Sequence, residues 1–417
     1  MYKAKAEGVI LLLFLSVYFL YPTFQFGAGS KFLLLFAIIL VALVVLLRSG
    51  RINVRRGFIH YTTSFIVCLV AVVLAGVTGL INKSEAIVHW ASLFRIVYFY
   101  CMVTFFMVLF ESGGRQLLLK FSKFLLFFLC LEFIFILMQA FNYASVLSNI
   151  YLQDKMRGLD SYMRATGTFG NPNSLAIITV LSMLYIFFYI QSPLKKVFTV
   201  VLSGAIILFS GSRTGLFIYI LALLFLVMEV GFKDSFRNKL SGALFAIVLL
   251  IISSFLLDLI ESSLPYLWSV VSVAGDLDAI MRINSLSARI GSWEDKILFF
   301  EEVPISLKYI FGAGFYEAFK VLDNDYLFLV LRTGLFGMST YLSFIMFPYI
   351  YGFLHNKKQV GRKSLFWMAF IIGGIWAVFF EFYSDFMMPV LFFSIIAIQN
   401  SNLFFSVGNK HSRGKGV

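Results

Sequence analysis

The chain has 417 residues, of which 60% are hydrophobic and only 13% charged, with a mean hydropathy of +0.92; this is more apolar surface than a soluble fold of that length can hide. The net charge of +13 invites a nucleic-acid reading, but no basic segment stands apart from an apolar run, and the positive-inside rule accounts for the cations. Cys68, Cys101 and Cys130 all lie within apolar runs and present neither metal-ligand spacing nor a disulfide framework.

In chain order, continuous apolar stretches predict spans near residues 8–26, 31–48, 58–81, 90–111, 120–141, 174–191, 197–210, 214–231, 240–257, 326–351, 364–383 and 387–405. Each approaches the length that crosses ~30 Å of hydrocarbon as a helix. Unbroken rather than alternating hydrophobicity favours helices over a barrel. The first stretch reads as a signal-anchor rather than a cleavable leader. With the N-terminus inside, the inside segments hold Lys3 and Lys5; Arg48, Arg51, Arg55 and Arg56; Arg115, Lys120 and Lys123; Lys195 and Lys196; Lys233, Arg237 and Lys239; Lys357, Lys358, Arg362 and Lys363; and Lys410, Arg413 and Lys415. Every one of these segments is basic, which supports both the orientation and a count of about twelve. The expected fold class is an all-α polytopic membrane protein with both termini cytoplasmic. Residues 1–417 would form a single transmembrane domain, with two large outside loops at 142–173 and 258–325. In the second loop acids outnumber bases, and Ile297, Leu298, Phe299 and Phe300 suggest helices lying on the membrane surface.

The first loop ends Arg164-Ala-Thr-Gly-Thr-Phe-Gly-Asn-Pro-Asn173. Asn171 and Pro172 suit the cap and first position of a helix. A helix start presents free N–H groups and positive dipole charge, so with Arg164 beside it this segment is a candidate anion site; a glycine turn and a cap without any ligand would use the same residues. Arg289, in Ser287-Ala-Arg-Ile-Gly-Ser-Trp-Glu294, is a second outside arginine, and Arg213, in Ser210-Gly-Ser-Arg-Thr-Gly215, a third. Arginine meets phosphate with a planar two-pronged fork that lysine lacks. The second loop closes at Asp323-Asn324-Asp325. Asp323 could accept a proton from a sugar hydroxyl or cap the following helix; Asp325 reads as a cap or a supporting group. Arg95 and Glu132 lie inside apolar runs, where they would be costly unpaired, and could pair with each other. The histidines form no metal-like cluster and no glycine-rich nucleotide loop is present.

Three of these segments, Arg164–Asn173, Ser210–Gly215 and the close of the second loop, resemble the O-antigen ligase/polymerase family of bacterial envelope glycosyltransferases. The ligase branch carries a His-Asn pair, nine residues, then Gly-x-x-Gly; here the spacing is Asp323-Asn324, nine residues, Gly334-Leu-Phe-Gly337. With Asp in place of that His, which looks like the general base of the ligases, the chain is most similar to a Wzy-type repeat-unit polymerase of O-antigen or capsule. The resemblance implies a GT-C-like fold in the bacterial inner membrane with the active site on the periplasmic side. It implies metal-independent, inverting transfer without a cofactor. The partners would be an undecaprenyl-diphosphate-linked glycan donor and acceptor, membrane lipids and a chain-length regulator, and no nucleic acid. Carried over by position, Asp323 and Arg289 would be catalytic. Arg164, Arg289, Arg213 and Asn173 would hold the lipid diphosphate, with Asn324, Asp325 and Asn171 in support. A ligase moving finished glycan to another acceptor is the nearest alternative, and a flippase for the same lipid-linked unit is the alternative outside enzymes.

Overall fold

The apolar runs fold as helices because a backbone in hydrocarbon must satisfy its polar groups within its own segment. The computed structural model describes residues 3–22, 28–48, 52–81, 86–140, 165–231, 284–303, 307–314, 316, 319, 324–355, 360–380 and 388–407. The helices are α1 (Lys3–Leu20), α2 (Ala28–Arg48), α3 (Arg56–Ile81), α4 (Ala86–Ala140), α5 (Pro172–Tyr189), α6 (Pro193–Ser210), α7 (Arg213–Gly231), α8 (Asn284–Glu302), α9 (Lys308–Phe311), α10 (Asp325–His355), α11 (Val360–Phe379) and α12 (Val390–Phe404). Two short strands, β1 (Ile52–Val54) and β2 (Phe405–Val407), pair antiparallel with Ile52 opposite Val407.

Six of these helices are long and apolar enough to cross a membrane, and α1 and α11 carry shorter apolar stretches. The chain is therefore a helical, polytopic membrane protein. The expected span at 240–257, most of both large loops, and the candidate residues Arg164 and Asp323 lie outside the described residues. The short seventh stretch expected at 197–210 is longer in the structure, because α6 begins at Pro193, whose fixed φ suits a first helical position.

Two expected spans, 90–111 and 120–141, are the two halves of α4. They meet at Gly114, whose backbone is non-helical (φ 57°, ψ −156°). Fifteen residues of straight helix would separate Phe106 from Phe121 by ~22 Å; their ring centroids lie 6.4 Å apart, so the halves fold back on each other. Aromatic rings seat the neighbouring helices. Phe14 of α1 packs on Phe105 and Phe106 of the first half, and Phe19 stacks on Phe128 of the second. Phe393 of α12 meets Phe99, and Tyr61 of α3 stacks on Phe344 of α10.

α5 lies at the centre: every residue from Leu175 to Phe187 is buried. Small residues let its partners approach, since lipid supplies no hydrophobic drive between helices. A side chain on Gly215 of α7 would meet Ala176 of α5, and one on Gly204 of α6 would meet Tyr219 of α7. α2 and α3 sit at the periphery with Leu33, Val41, Ile66 and Val70 exposed, as suits lipid-facing helices.

The bundle has two unlike ends. One holds the basic turns after α2, at Gly114 and between α5 and α6, together with the β ladder. There Arg55 N–H extends the ladder by donating to Phe404 O (2.9 Å), and Ser401 donates to Glu111 (3.2 Å). The other end holds the starts of α5, α7 and α10, and with them most of the candidate residues.

Candidate functional site

The turn before α5 is held by buried polar side chains from the last turns of α4. Gln139 Oε1 accepts from the N–H groups of Thr166 (3.0 Å) and Gly167 (2.9 Å), and its amide donates to Gly167 O (3.0 Å). Glu132 Oε2 accepts from Thr168 N–H (3.0 Å). The Thr168 hydroxyl reaches both Glu132 Oε1 and the Phe19 carbonyl at the end of α1. Gly167 has φ 54°, and any side chain there would collide with the Glu132 carboxylate. Gln139, Glu132, Thr166 and Thr168 are all essentially buried, where unpaired polar groups would be expensive. Glu132 thus turns to Thr168, with the charge of Lys31 nearby, rather than to Arg95. Lys31, fully buried in the first turn of α2, sits 4.9 Å from the Phe169 ring centroid and 5.8 Å from that of Tyr18, a cation–π arrangement.

The turn delivers the chain into α5. Asn171 caps the helix as its type suggests, its Oδ1 accepting from Asn173 N–H at 2.8 Å, with Pro172 following. The Ser210–Gly215 segment meets this helix start. Ser212 caps α7 by accepting from Gly215 N–H (3.1 Å) and donates its hydroxyl to Asn173 Oδ1 (2.8 Å). Two of the three sequence motifs are therefore joined, and two helix N-termini open side by side. Arg213 is the first residue of α7. Asn173 differs from expectation in one respect: its side-chain oxygen is engaged in joining the helices.

The second loop closes through a crossing of backbones. α10 is interrupted at Gly334 (φ 68°, ψ −178°), so the last carbonyls of its first segment lack helical partners. Ala313 N–H donates to Leu331 O (2.9 Å) and Gly314 N–H to Arg332 O (3.1 Å), which satisfies them. The approach requires glycine. A side chain on Gly334 would strike the Ile310 carbonyl, one on Gly312 the Arg332 carbonyl, and one on Gly314 the backbone of Gly79 in α3. Arg332 is buried, donating to Phe319 O (2.7 Å) with its guanidinium 3.9 Å from the Phe328 ring centroid.

Asn324, not a carboxylate, caps α10: its Oδ1 accepts from Leu327 N–H at 3.0 Å. The cap that the sequence left open between Asp323 and Asp325 is thus filled by the residue between them. Asp325 is fully buried in the first helical turn, where the dipole favours its charge. Tyr326 donates to Gly374 O (3.1 Å), fastening this segment to α11.

α8 forms where the apolar run Ile297–Phe300 suggested a helix; Phe300 is buried and Leu298 exposed. Lys308 finishes it, donating to the carbonyls of Phe300 (2.9 Å), Glu301 (2.6 Å) and Val303 (3.2 Å), a cation on the negative end of a helix. Tyr309 donates to both Glu301 oxygens (2.7 and 2.6 Å), and that bond holds its phenol above the ordinary pKa. Arg289 lies on α8 with its guanidinium 4.5 Å from the ring centroid of Phe380, the residue after α11. Because α11 packs against both α5 and α7, Arg289 and Arg213 belong to the same end of the bundle.

Gln139, Lys31, Lys308 and Arg332 carry this end and were given no role from the sequence. A signal was present for each: a polar or charged residue at or within an apolar run must find a partner. The sequence does not name the partner. Among the described residues no group of three or more His, Cys, Asp or Glu could hold a metal. Neither protein-family models nor curated proteins show a match to this chain.

Proposed function

We propose that the chain polymerises undecaprenyl-diphosphate-linked oligosaccharide repeats on the outer face of a bacterial inner membrane. The observation that carries this reading is the joining of two helix N-termini through Ser212 and Asn173, with Arg213 opening one of them and Arg289 held on the ring that ends a helix packed on both. Helix starts and arginines are the groups that meet phosphate best. In the proposed step the acceptor hydroxyl attacks the anomeric carbon of the donor and the C–O bond to the diphosphate breaks. The hydroxyl proton passes to the Asp323 carboxylate. Arg164, Arg213 and Arg289 meet the charge that develops on the leaving diphosphate. Asn171, Asn173, Asn324 and Asp325 set the helix starts that aim these groups.

A flippase would require polar groups lining a path through the spans. The buried Gln139, Glu132 and Thr168 are instead spent on fixing one turn, which supports the enzyme.

Reconstitution with purified lipid-linked repeats tests the proposal: the expected result is a ladder of lengthening products. Arg164→Ala, Arg213→Ala, Arg289→Ala and Asp323→Asn should each lower long-chain product by about 100-fold or more, the cost of removing one preorganised charge partner, at unchanged protein level. Normal chain lengths in the arginine variants would end the diphosphate assignment. Transfer that depends on a lipid A core would make the protein the ligase, and substrate stranded on the inner leaflet in cells lacking it would make it the flippase.

A further inference from the structure

At the opposite, basic end of the bundle, the second half of α4 and the α5–α6 turn border two adjoining open pockets of about 360 and 470 Å³, which share Leu119, Tyr189 and Gln191. Arg115 lines the first; Lys123 and Lys195 line the second, and among the described residues no acid lines either. Among the described residues, no hydrogen bond or ion pair engages any of these three cationic side chains. The positive-inside rule explains why cations lie on this side. It does not explain why three of them from two elements converge on one concave surface without a counter-ion.

The wall of the larger pocket shows what accompanies the missing anion. Leu119, Lys123, Leu126, Phe127 and Cys130 fall on one face of α4 and line it together. From Leu119 to Cys130 that face runs ~16 Å along the helix. A free phosphate would fill only the Lys123–Lys195 end and leave the apolar remainder empty. The groove lies on the perimeter of the bundle: Phe127, which lines it, is 54% exposed, and Leu194, next to Lys195 in the chain, is 79% exposed. In a membrane-spanning bundle such exposed apolar side chains face lipid.

The geometry points to a binding site for one anionic glycerophospholipid. Its phosphate lies between Lys123 and Lys195 with Arg115 in reach of the remaining headgroup, and an acyl chain lies along Leu126, Phe127 and Cys130. A zwitterionic lipid would bring its own cation to a place that already holds three, so the site selects for net negative charge. The assignment is independent of the proposed glycosyl transfer, whose residues are at the other end.

Native mass spectrometry of the full chain, released from detergent with equal amounts of phosphatidylglycerol and phosphatidylethanolamine of identical acyl chains, tests this. The wild-type protein should retain at least one phosphatidylglycerol in preference to phosphatidylethanolamine. Lys123→Gln with Lys195→Gln should lower that retention about 25-fold, since each cation near a membrane surface contributes about fivefold. Phosphatidylglycerol should also raise the melting temperature of the wild type and not of the double variant, whose own melting temperature in phosphatidylethanolamine stays unchanged. Equal retention of the two lipids, or full retention of phosphatidylglycerol by the double variant, would overturn the proposal. Complete displacement by millimolar inorganic phosphate would also overturn it, by showing a simple anion site.

Discussion

Gly114 and Gly334 each interrupt a long helix with nearly the same backbone, φ 57° and ψ −156° in one and φ 68° and ψ −178° in the other. Their surroundings differ completely. A side chain on Gly114 would enter open space, whereas one on Gly334 would strike the backbone of Ile310 and Gly312. At the basic end glycine is needed only because the chain reverses. At the loop end it is needed because a second stretch of backbone occupies the place of its side chain. The two ends are thus built to different tolerances, and the candidate residues belong to the tighter one.

Alanine at the two glycines should act unequally. Gly114→Ala should cost about 2 kcal/mol, the strain of a glycine-only conformation. Gly334→Ala should cost about 4 kcal/mol or more, because backbone overlap adds to the same strain. Thermal unfolding in detergent and the yield of membrane-inserted protein measure both; equal losses would mean that the crossing at Gly334 is not tight. An effect like that at Gly114 is expected at Gln139. Gln139→Leu should cost about 2 kcal/mol by leaving the Thr166 and Gly167 N–H groups buried without an acceptor, while Gln139→Glu, which keeps the acceptor, should lose less. If the leucine variant melts like wild type, the turn before α5 is not held from α4. The smallest expected effect is about 1 kcal/mol for Asn324→Ala, a lost helix cap. An unchanged melting temperature there would return the cap to one of the flanking aspartates.

Much of the helical layout was legible because hydrocarbon imposes a length and a composition on each crossing segment. The start of α5 could be read from Asn171-Pro172, since both residues act locally. The partners of buried polar groups could not be read this way. Gln139 holds a turn 27 and 28 residues further on, and nothing in the spacing marks that link. Glu132 looked like a partner for Arg95 because both are charged and intramembrane; the hydroxyl and the N–H of one threonine, Thr168, place its carboxylate instead. Gly334 was visible within the Gly334-Leu-Phe-Gly337 spacing, yet its purpose is close contact with the backbone at Ile310 and Gly312, which belongs to the tertiary fold. Asn324 caps α10 although acids flank it on both sides, because a neutral amide oxygen accepts the Leu327 N–H as well as a carboxylate would, and composition alone does not rank the three.

The ladder between β1 and β2 has a consequence for how the molecule is made. Its two strands are separated by nearly the whole chain, and Ile52 meets Val407 only after α12 has been synthesised. Membrane insertion proceeds from the N-terminus, so β1 waits with an unpaired edge while every later helix is threaded. Pairing with β2 then acts as a clasp that joins the earliest-made part of the bundle to the latest. Disabling that clasp should reveal itself less in the finished protein than in the time it takes to reach a protease-resistant state.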